Sequence, residues 1–589
     1  NVRGVATIGD GSSGSPLVLI DGMEGDINSI NPQDIENISV LKDAAASSIY
    51  GSRAPFGVIL ITTKSGKAGK MSISYNNNFR YGKPINMPKQ MDSYTFATFY
   101  NDGCLNAGTG AFFTPERLQR IKDYQDGILK ESLEASGDYW MDGYAGGNAN
   151  TDWYDVIYRD WTFSQEHNVS VNGGSDKVSY YLSMNYLDQN GLMEFNQDKY
   201  NRYTTTAKIN VQLTDWAKLN YNNRFTREDF GRPAYLTSAL FRDLARQGWP
   251  TLPVYDPNGY MFHSPSPVLP LKEGGRDKTQ TDNLYQQISL VLEPIKNWIT
   301  HIDVNYRIQS VNRHWDTKTL YNHDVNGNPY VISFYSDSEA HEDNWKENYL
   351  NINAYTEYSY SFESGHNLKG MIGFQAEELN KSEFGATRKG LIVPSLPELD
   401  ITTGLDNSGN PVSPSVNGAR YSWATAGFFG RINYDYKGKY LAEVNLRYDG
   451  TSRFRRDQRW NLFPSFSLGW NIAHEEFWKP LSDILGTFKL RGSYGELGNQ
   501  NTNSWYPTYR ILSVSASSGS WIQNGLKPNI ASVPGLISST LTWERVKNWN
   551  VGVDFGAFNN RLTGSVDIFN RKTIDMVGPA PELPTILGM

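Results

Sequence analysis

The chain has 589 residues, with 55 basic against 62 acidic side chains and a net charge of −7, both signs being scattered along its length. That balance does not suggest nucleic-acid binding, and no run approaches the roughly 18 apolar residues that a membrane helix needs. The single cysteine, Cys104, excludes an internal disulfide framework and a cysteine-based metal cluster.

A chain this long is either several soluble domains or one very large barrel. Hydrophobic residues make up only 39%, which a barrel tolerates because each strand shows lipid only at every second residue. The chain opens at Asn1-Val2-Arg3-Gly4, with neither an initiator methionine nor a signal peptide, so it is expected to be a fragment of an exported protein.

Between Pro16 and Lys70, short β-branched runs alternate with helix-sized pieces. Leu17-Val18-Leu19-Ile20-Asp21-Gly22 leads into Ile30–Glu36, then Val40–Ala54, then Gly57-Val58-Ile59-Leu60-Ile61-Thr62-Thr63-Lys64. Pro32 suits a first helical turn with Asp34 and Glu36 near its positive end, and Gly51 supplies a stop after the Ala-rich segment. The stretch reads as a compact α+β unit.

Beyond Gly66-Lys67-Ala68-Gly69-Lys70 the pattern changes to period two. Val178, Tyr180, Leu182, Met184 and Tyr186 share one face, with Ser179, Ser183 and Asn185 on the other. Tyr203 to Leu213 repeats this against Arg202, Thr204, Thr206, Lys208, Asn210 and Gln212, and so do Leu350–Ser359, Tyr440–Asp449 and Asn548–Phe555. Roughly sixteen segments fit this template. A soluble sandwich with so many charged residues on its second face would bury unpaired charge, whereas a polar lumen accepts them.

Connections supply an independent test, because outer-membrane barrels have short turns at one rim and long loops at the other. Short turns are expected at Gly173-Gly174-Ser175, Thr214-Asp215, Ser364-Gly365, Lys437-Gly438 and Asn559-Asn560, and long irregular stretches at 82–164, 227–282, 310–346, 379–419 and 496–540. Tyr180, Tyr181, Tyr186, Tyr434, Tyr436 and Tyr440 lie near strand ends, where an interfacial aromatic girdle belongs.

No phosphate-binding loop, nucleophile elbow or His-Glu-x-x-His is present, so no catalytic residue is assigned and no enzyme is expected. No cofactor and no metal site is expected either. The loop Asp324-Val325-Asn326-Gly327-Asn328 begins like a calcium loop, but Tyr335 holds the position that requires a carboxylate, and a hairpin tip is the plainer reading. The histidines, eight in all, have no ligand spacing. Trp140, Trp153, Trp161, Trp315, Trp345, Trp505 and Trp521 lie in or beside the long loops. Their indoles suit stacking on sugar rings or packing of peptide side chains, against the alternative of girdle or loop packing.

The Pro16–Lys70 order closely resembles the plug of TonB-dependent outer-membrane transporters of the SusC/RagA type in Bacteroidota. Leu446–Phe454, Arg459–Trp470, Leu490–Gly495 with Gly498-Asn499-Gln500, Leu541–Glu544 and Phe569–Thr573 resemble barrel motifs of that family, in family order. Pro55-Phe56 departs from the usual Ala-Asn and should alter a turn. The resemblance implies an all-β membrane barrel of about 22 antiparallel strands around an α+β plug, with residues 1–70 as plug and 71–589 as barrel, truncated at both ends. It further implies TonB-dependent import of a bulky nutrient across the bacterial outer membrane, with glycan oligosaccharides first and oligopeptides as the alternative. Expected partners are a SusD-like lipoprotein lid, TonB acting through a missing N-terminal segment, outer-membrane lipid and the glycan or peptide itself, in a dimer of transporter–lipoprotein pairs. Arg3 resembles a plug arginine that pairs with barrel glutamates, and Asp21, Gly22 and Arg53 also match plug positions, which makes these the gating candidates; Trp153, Trp161, Trp315, Trp345, Trp505 and Trp521 are the ligand-binding candidates. A passive channel or surface adhesin is the reading from a different class, and a secreted hydrolase a distant third.

Overall fold

The computed structural model describes residues 14–42, 47–141, 144, 146–195, 198–263, 268–502, 504–533, 537 and 540–576. Its small sheet holds β1 (Leu17–Ile20), β2 (Met23–Glu24), β3 (Ile35–Leu41) and β4 (Val58–Thr63) in the order β2-β1-β4-β3. β1 and β4 are parallel, while β2 and β3 run antiparallel to their neighbours. The β1 and β4 runs are apolar at successive positions because the sheet is packed on both sides. Leu17, Leu19, Ala54 and Val58 form one core, and Ile20, Ile30 and Ile61 another.

The expected first helical turn is a single 3-10 turn, Pro32–Asp34, capped by the Asn31 side chain accepting from the Gln33 amide. It carries Asp34 but not Glu36, which already lies in β3. The β-branched residues from Ile35 onward extend the backbone to pair with β4, and that ladder outweighs one more helical turn.

The large sheet has fifteen strands among the described residues, against roughly sixteen alternating segments expected from the period-two template. They are β5 (Gly69–Gly82), β6 (Thr162–Gly174), β7 (Val178–Asn190), β8 (Lys199–Thr214) and β9 (Ala217–Pro233). Next come β10 (Arg276–Ile295), β11 (Trp298–Thr317), β12 (Glu339–Ser361), β13 (His366–Lys389) and β14 (Ser415–Tyr436). The last are β15 (Tyr440–Thr451), β16 (Trp460–Asn471), β17 (Leu485–Asn499), β18 (Glu544–Ala557) and β19 (Leu562–Ile574). Each pairs antiparallel with the next in chain order, from β5 at one edge to β19 at the other.

Burial along these strands is inverted relative to a soluble sheet. On β7 the apolar Leu182 and Met184 are 43% and 67% exposed, whereas Ser183 and Asn185 are each 4% exposed. The same apolar outer band includes Ile288, Ile302, Ile372, Phe428, Val444 and Val551, as a surface that meets lipid requires. No helix among the described residues is long and apolar enough to cross a membrane.

Short turns and long connections alternate as the sequence predicts, but the long ones are shorter than read. β11, β12, β13 and β14 run into the stretches 310–346 and 379–419. Near the rim the outer face of a strand no longer has to meet lipid, so Glu339-Ala340-His341-Glu342-Asp343-Asn344 shows no apolar–polar alternation to betray it. The stretch 82–164 is not irregular throughout. It contains α1 (Ser93–Asn106), capped by Asp92 accepting from the Thr95 amide, α2 (Pro115–Gln125), capped by Thr114 with Pro115 in the first turn, and α3 (Trp153–Ile157). With α4 (Leu240–Gln247) and α5 (Val268–Glu273), α3 encloses an apolar core of Trp153, Tyr154, Ile157, Leu240, Leu244, Leu252, Val268 and Leu271. Asp324–Asn328 forms the tip of the hairpin Tyr321–His323/Pro329–Val331, Asp324 accepting from the Asn326 and Asn328 amides.

Candidate functional site

The small sheet is fastened to the polar wall of the large one through a set of hydrogen bonds and ion pairs. Arg53 ends a 3-10 segment, Ser48–Arg53. Its Nη1 donates to Glu377 of β13 and to the Tyr349 hydroxyl of β12, each at 2.7 Å, and its Nη2 pairs with Glu24. The Glu377 side chain, 2% exposed, also accepts from Asn351, Gln375 and Thr425. Burial alone would pull the Arg53 guanidinium down, but the Glu377 charge and the bonds to Glu377 and Tyr349 outweigh it, so its pKa is raised. This is a buried charge paired with a buried carboxylate, costly to break on one side only.

Arg447 of β15 makes the next link. Its Nη1 donates to the Ile49 carbonyl at 2.7 Å, its Nη2 to Gln375 at 2.8 Å, and its Nε to Asp449 at 2.8 Å. Close passage of this guanidinium explains Gly51: with φ +66° and ψ −148° it sits where L side chains are strained, and a Cβ there would strike Arg447. Gly51 is therefore a kink inside the segment where a helix stop was expected.

Asp21 and Gly22 form the turn between β1 and β2, with φ +52° and +87°. The Asp21 carboxylate accepts from the Thr63 amide at 2.9 Å and hydroxyl at 2.6 Å, from Asn222 of β9 at 3.2 Å, and pairs with Lys208 of β8 at 3.0 Å. Lys208 also donates to the Thr63 carbonyl at 3.0 Å. Asp34 accepts from Tyr181 at 2.7 Å and Ser183 at 2.8 Å, both on β7, and Arg202 of β8 donates to the Asn28 carbonyl at 2.6 Å. Tyr181, expected in the girdle, is instead buried against the small sheet, because its position shares the face of Ser183 rather than that of Leu182. Gly22, Asp21, Tyr50 and Arg53 also border a cavity of about 390 Å³ whose barrel side includes His301, Tyr349 and Glu377.

Three of the four gating candidates thus meet this wall, and Arg3 lies outside the described residues. The barrel residues Lys208, Glu377 and Arg447 were not among the site candidates from sequence, and Asp34 was read there only as an acidic residue at a helical turn. Their signal was present as charged residues on the non-apolar face of otherwise apolar-alternating strands, but which element they meet is a matter of tertiary contact.

The tryptophans divide. Trp153 is fully buried in the loop core, its Nε1 donating to the Trp249 carbonyl at 2.9 Å. Trp161 is 58% exposed with the Lys83 ammonium 5.2 Å from its ring, and Trp521 is 57% exposed. Trp315 and Trp345 share strand parity with Arg307 and Tyr349, which turns them to the lumen; Trp315 stacks on His341 at 3.3 Å between ring centroids. Trp505 stacks on Tyr421 at 5.0 Å. Trp140 is partly buried in the short hairpin Ala135–Ser136/Tyr139–Trp140.

Strand pairing also sets His314 opposite Glu342, with a 2.6 Å bond between them, and the 390–414 loop brings Glu398 up so that the three donor atoms lie within 4.8 Å of one another. One imidazole and two carboxylates suit a divalent cation in type, although a bond already joins His314 Nδ1 to Glu342. Linear spacing gave no hint of this group, because it arises across strands.

Residues 229–588 match the family model described as TonB dependent receptor-like, beta-barrel, and residues 1–58 match that of the TonB-dependent Receptor Plug Domain. The TonB-dependent receptor SusC of Bacteroides thetaiotaomicron is 28% identical over 98% of this chain and 55% of its own length. The TonB-dependent receptor P39 of Formosa agariphila is 28% identical over 98% of this chain and 51% of its own length. The chain therefore spans about half the length of the curated relatives it matches. Among solved structures, that of the RagAB peptide transporter superposes with a TM-score of 0.80 at 23% identity, covering 100% of this chain and 64% of that one.

Proposed function

The chain belongs to the TonB-dependent receptor family of outer-membrane barrels, whose barrel model spans well over half of it, and from that premise we propose that it imports a bulky nutrient across the outer membrane under the pull of TonB. The observation that carries the reading is the polar lumen wall with a folded domain bolted to it through Arg53–Glu377, Arg447–Ile49 and Asp21–Lys208. A channel wide enough for an oligomer leaks at rest unless something folded closes it. A stopper held by polar links can be moved, because water replaces each link as it breaks. Residues 1–70 are the proposed plug and 71–589 the proposed barrel.

The proposed cargo is a glycan oligosaccharide, supported by indoles on or near the lumen wall at Trp315, Trp345 and Trp505. The second reading is an oligopeptide, favoured by the fold shared with the RagAB peptide transporter. A SusD-like surface lipoprotein as lid, in a dimer of pairs, completes the proposal. A passive channel or an adhesin would have no use for a folded stopper fastened by buried ion pairs and hydrogen bonds.

Uptake of fluorescently labelled glycan oligomers and of labelled peptides by cells carrying the full-length protein tests this directly. Uptake of the glycan should vanish on deleting either the transporter or TonB. Uptake that persists without TonB would sink the energy-coupled reading, and loss of peptide uptake alone would exchange the cargo. Mass spectrometry of the natively purified barrel should find a lipoprotein travelling with it.

A further inference from the structure

Several arginines on the lumen wall are matched by acid: Arg202 by Glu166, Arg313 by Asp277 and Arg447 by Asp449. Arg453, just past the end of β15, is not. Among the described residues no carboxylate lies within ion-pair distance of it, its Nε is buried without an acceptor, and its guanidinium donates from Nη1 to the Thr502 hydroxyl at 3.4 Å. Burial with no neighbouring charge pulls its pKa below the ordinary arginine value, yet a guanidinium stays protonated at neutral pH. It is therefore a half-buried, unspent cation.

Aromatic rings hold it in place. The guanidinium carbon lies 5.7 Å from the Trp423 ring centroid and 5.8 Å from that of Trp505, and Tyr421 stacks on Trp505 at an interplanar angle of 21°. Cation–π contact with two rings holds the head group without using its hydrogen-bond donors. Trp423 stands two residues along β14 from Thr425, whose hydroxyl donates to Glu377, the acceptor of the plug's Arg53. The group thus shares the lumen face of the strand and lies about 7 Å along it from the plug anchor.

We propose that Arg453, with Trp423, Trp505 and Tyr421, forms a cargo subsite for an acidic sugar, the guanidinium taking a uronate carboxylate and the aromatic rings taking the face of a pyranose. An arginine fork matches a carboxylate in two parallel bonds, and an aromatic ring beside it offers the apolar surface that a sugar presents on its less polar face. A neutral glycan would leave the cation unpaired inside the site, which selects against it. This inference rests on the import reading for the identity of the lumen as a cargo path.

Binding to the purified full-length transporter in nanodiscs, with its native lipoprotein, tests it. The probes are a galacturonic-acid tetrasaccharide, the same tetrasaccharide with its carboxyls reduced to alcohols, and a tetrapeptide rich in aspartate. The acidic sugar should bind at least tenfold more tightly than the reduced one; R453Q should erase that difference, and R453K should keep part of it, since an ammonium retains the charge without the fork. Unaltered thermal unfolding of both variants shows that the fold is intact, and R453K alone decides if R453Q does not assemble. Equal binding of the two sugars, no binding of either, discrimination that survives R453Q, or Arg453-dependent binding of the peptide alone would each overturn the assignment. Because binding needs no TonB, failure here is separable from failure of import, which the uptake measurement reads.

Discussion

The two joints of this molecule are built from opposite materials. Where the long loops meet, Trp153, Tyr154, Ile157, Leu244, Leu252 and Leu271 exclude water around a common apolar centre. Where the small sheet meets the barrel wall, the contacts are Arg53–Glu377, Arg447–Ile49, Asp21–Lys208, Asp34–Tyr181 and Arg202–Asn28. Separating an apolar joint exposes area that water does not compensate. Separating a polar joint trades protein bonds for water bonds at a small net loss each, provided both sides are wetted together. On the import reading proposed above, the loop layer is the static part and the small sheet the part that would leave its seat.

The largest effect is expected at the apolar joint. Trp153→Ala should open a cavity in the loop core and cost about 3–5 kcal/mol, read as faster proteolysis within 83–161 and 234–275, with unchanged conductance through the closed barrel. A rise in conductance would mean that the two joints are not independent.

Arg53→Met should come next, at about 3 kcal/mol, because Glu377 is then left buried and charged with only neutral donors around it. The measurement is urea-dependent release of the plug, seen as a step in single-channel current at lower urea than in the wild type. Adding Glu377→Leu should recover much of the loss, since removing both charges is far cheaper than removing one. A double variant as leaky as the single one would show that the pair is not what holds the plug.

Gly51→Ala should cost about 2 kcal/mol, from a backbone region nearly closed to side chains, and should also push Arg447 off the Ile49 carbonyl. If leakage stays at the wild-type level although stability falls, the Arg447 link is not part of the fastening.

The sequence made one of these joints far more legible than the other. Alternation exposed the barrel strands because lipid and lumen impose opposite polarity on neighbouring residues, as on Leu182 and Ser183. It faded at the rim, where Glu342 and Asp343 both meet water, so strand ends were read short. The gating candidates Asp21, Gly22 and Arg53 were picked out through motif resemblance, but the barrel residues they meet were not: residue type does not distinguish Glu377, which pairs with Arg53, from Glu378 one residue on, which faces the other way. The tryptophans show the same limit. Trp153 and Trp161 sit eight residues apart in the same loop, yet one is wholly buried and the other 58% exposed, because helical packing of α3 against α4 and α5, not residue type, decides which indole is enclosed.

Tyr181→Phe is the smallest change and the most discriminating. It keeps the ring, so packing against the small sheet survives, and it removes one donor from Asp34, which retains Ser183 at 2.8 Å and Thr206 at 3.4 Å. Loss of one of several hydrogen bonds to a charged acceptor should cost about 1–2 kcal/mol, read as a modest shift of the urea midpoint for plug release with no leakage in its absence. Such a result is what a joint of many small, individually replaceable links requires. If the plug instead came loose from this single hydroxyl, the fastening would be concentrated in the Asp34 contact on β7, and the place where force must act would move from the Arg53 side of the plug to the opposite end of its sheet, beside β3.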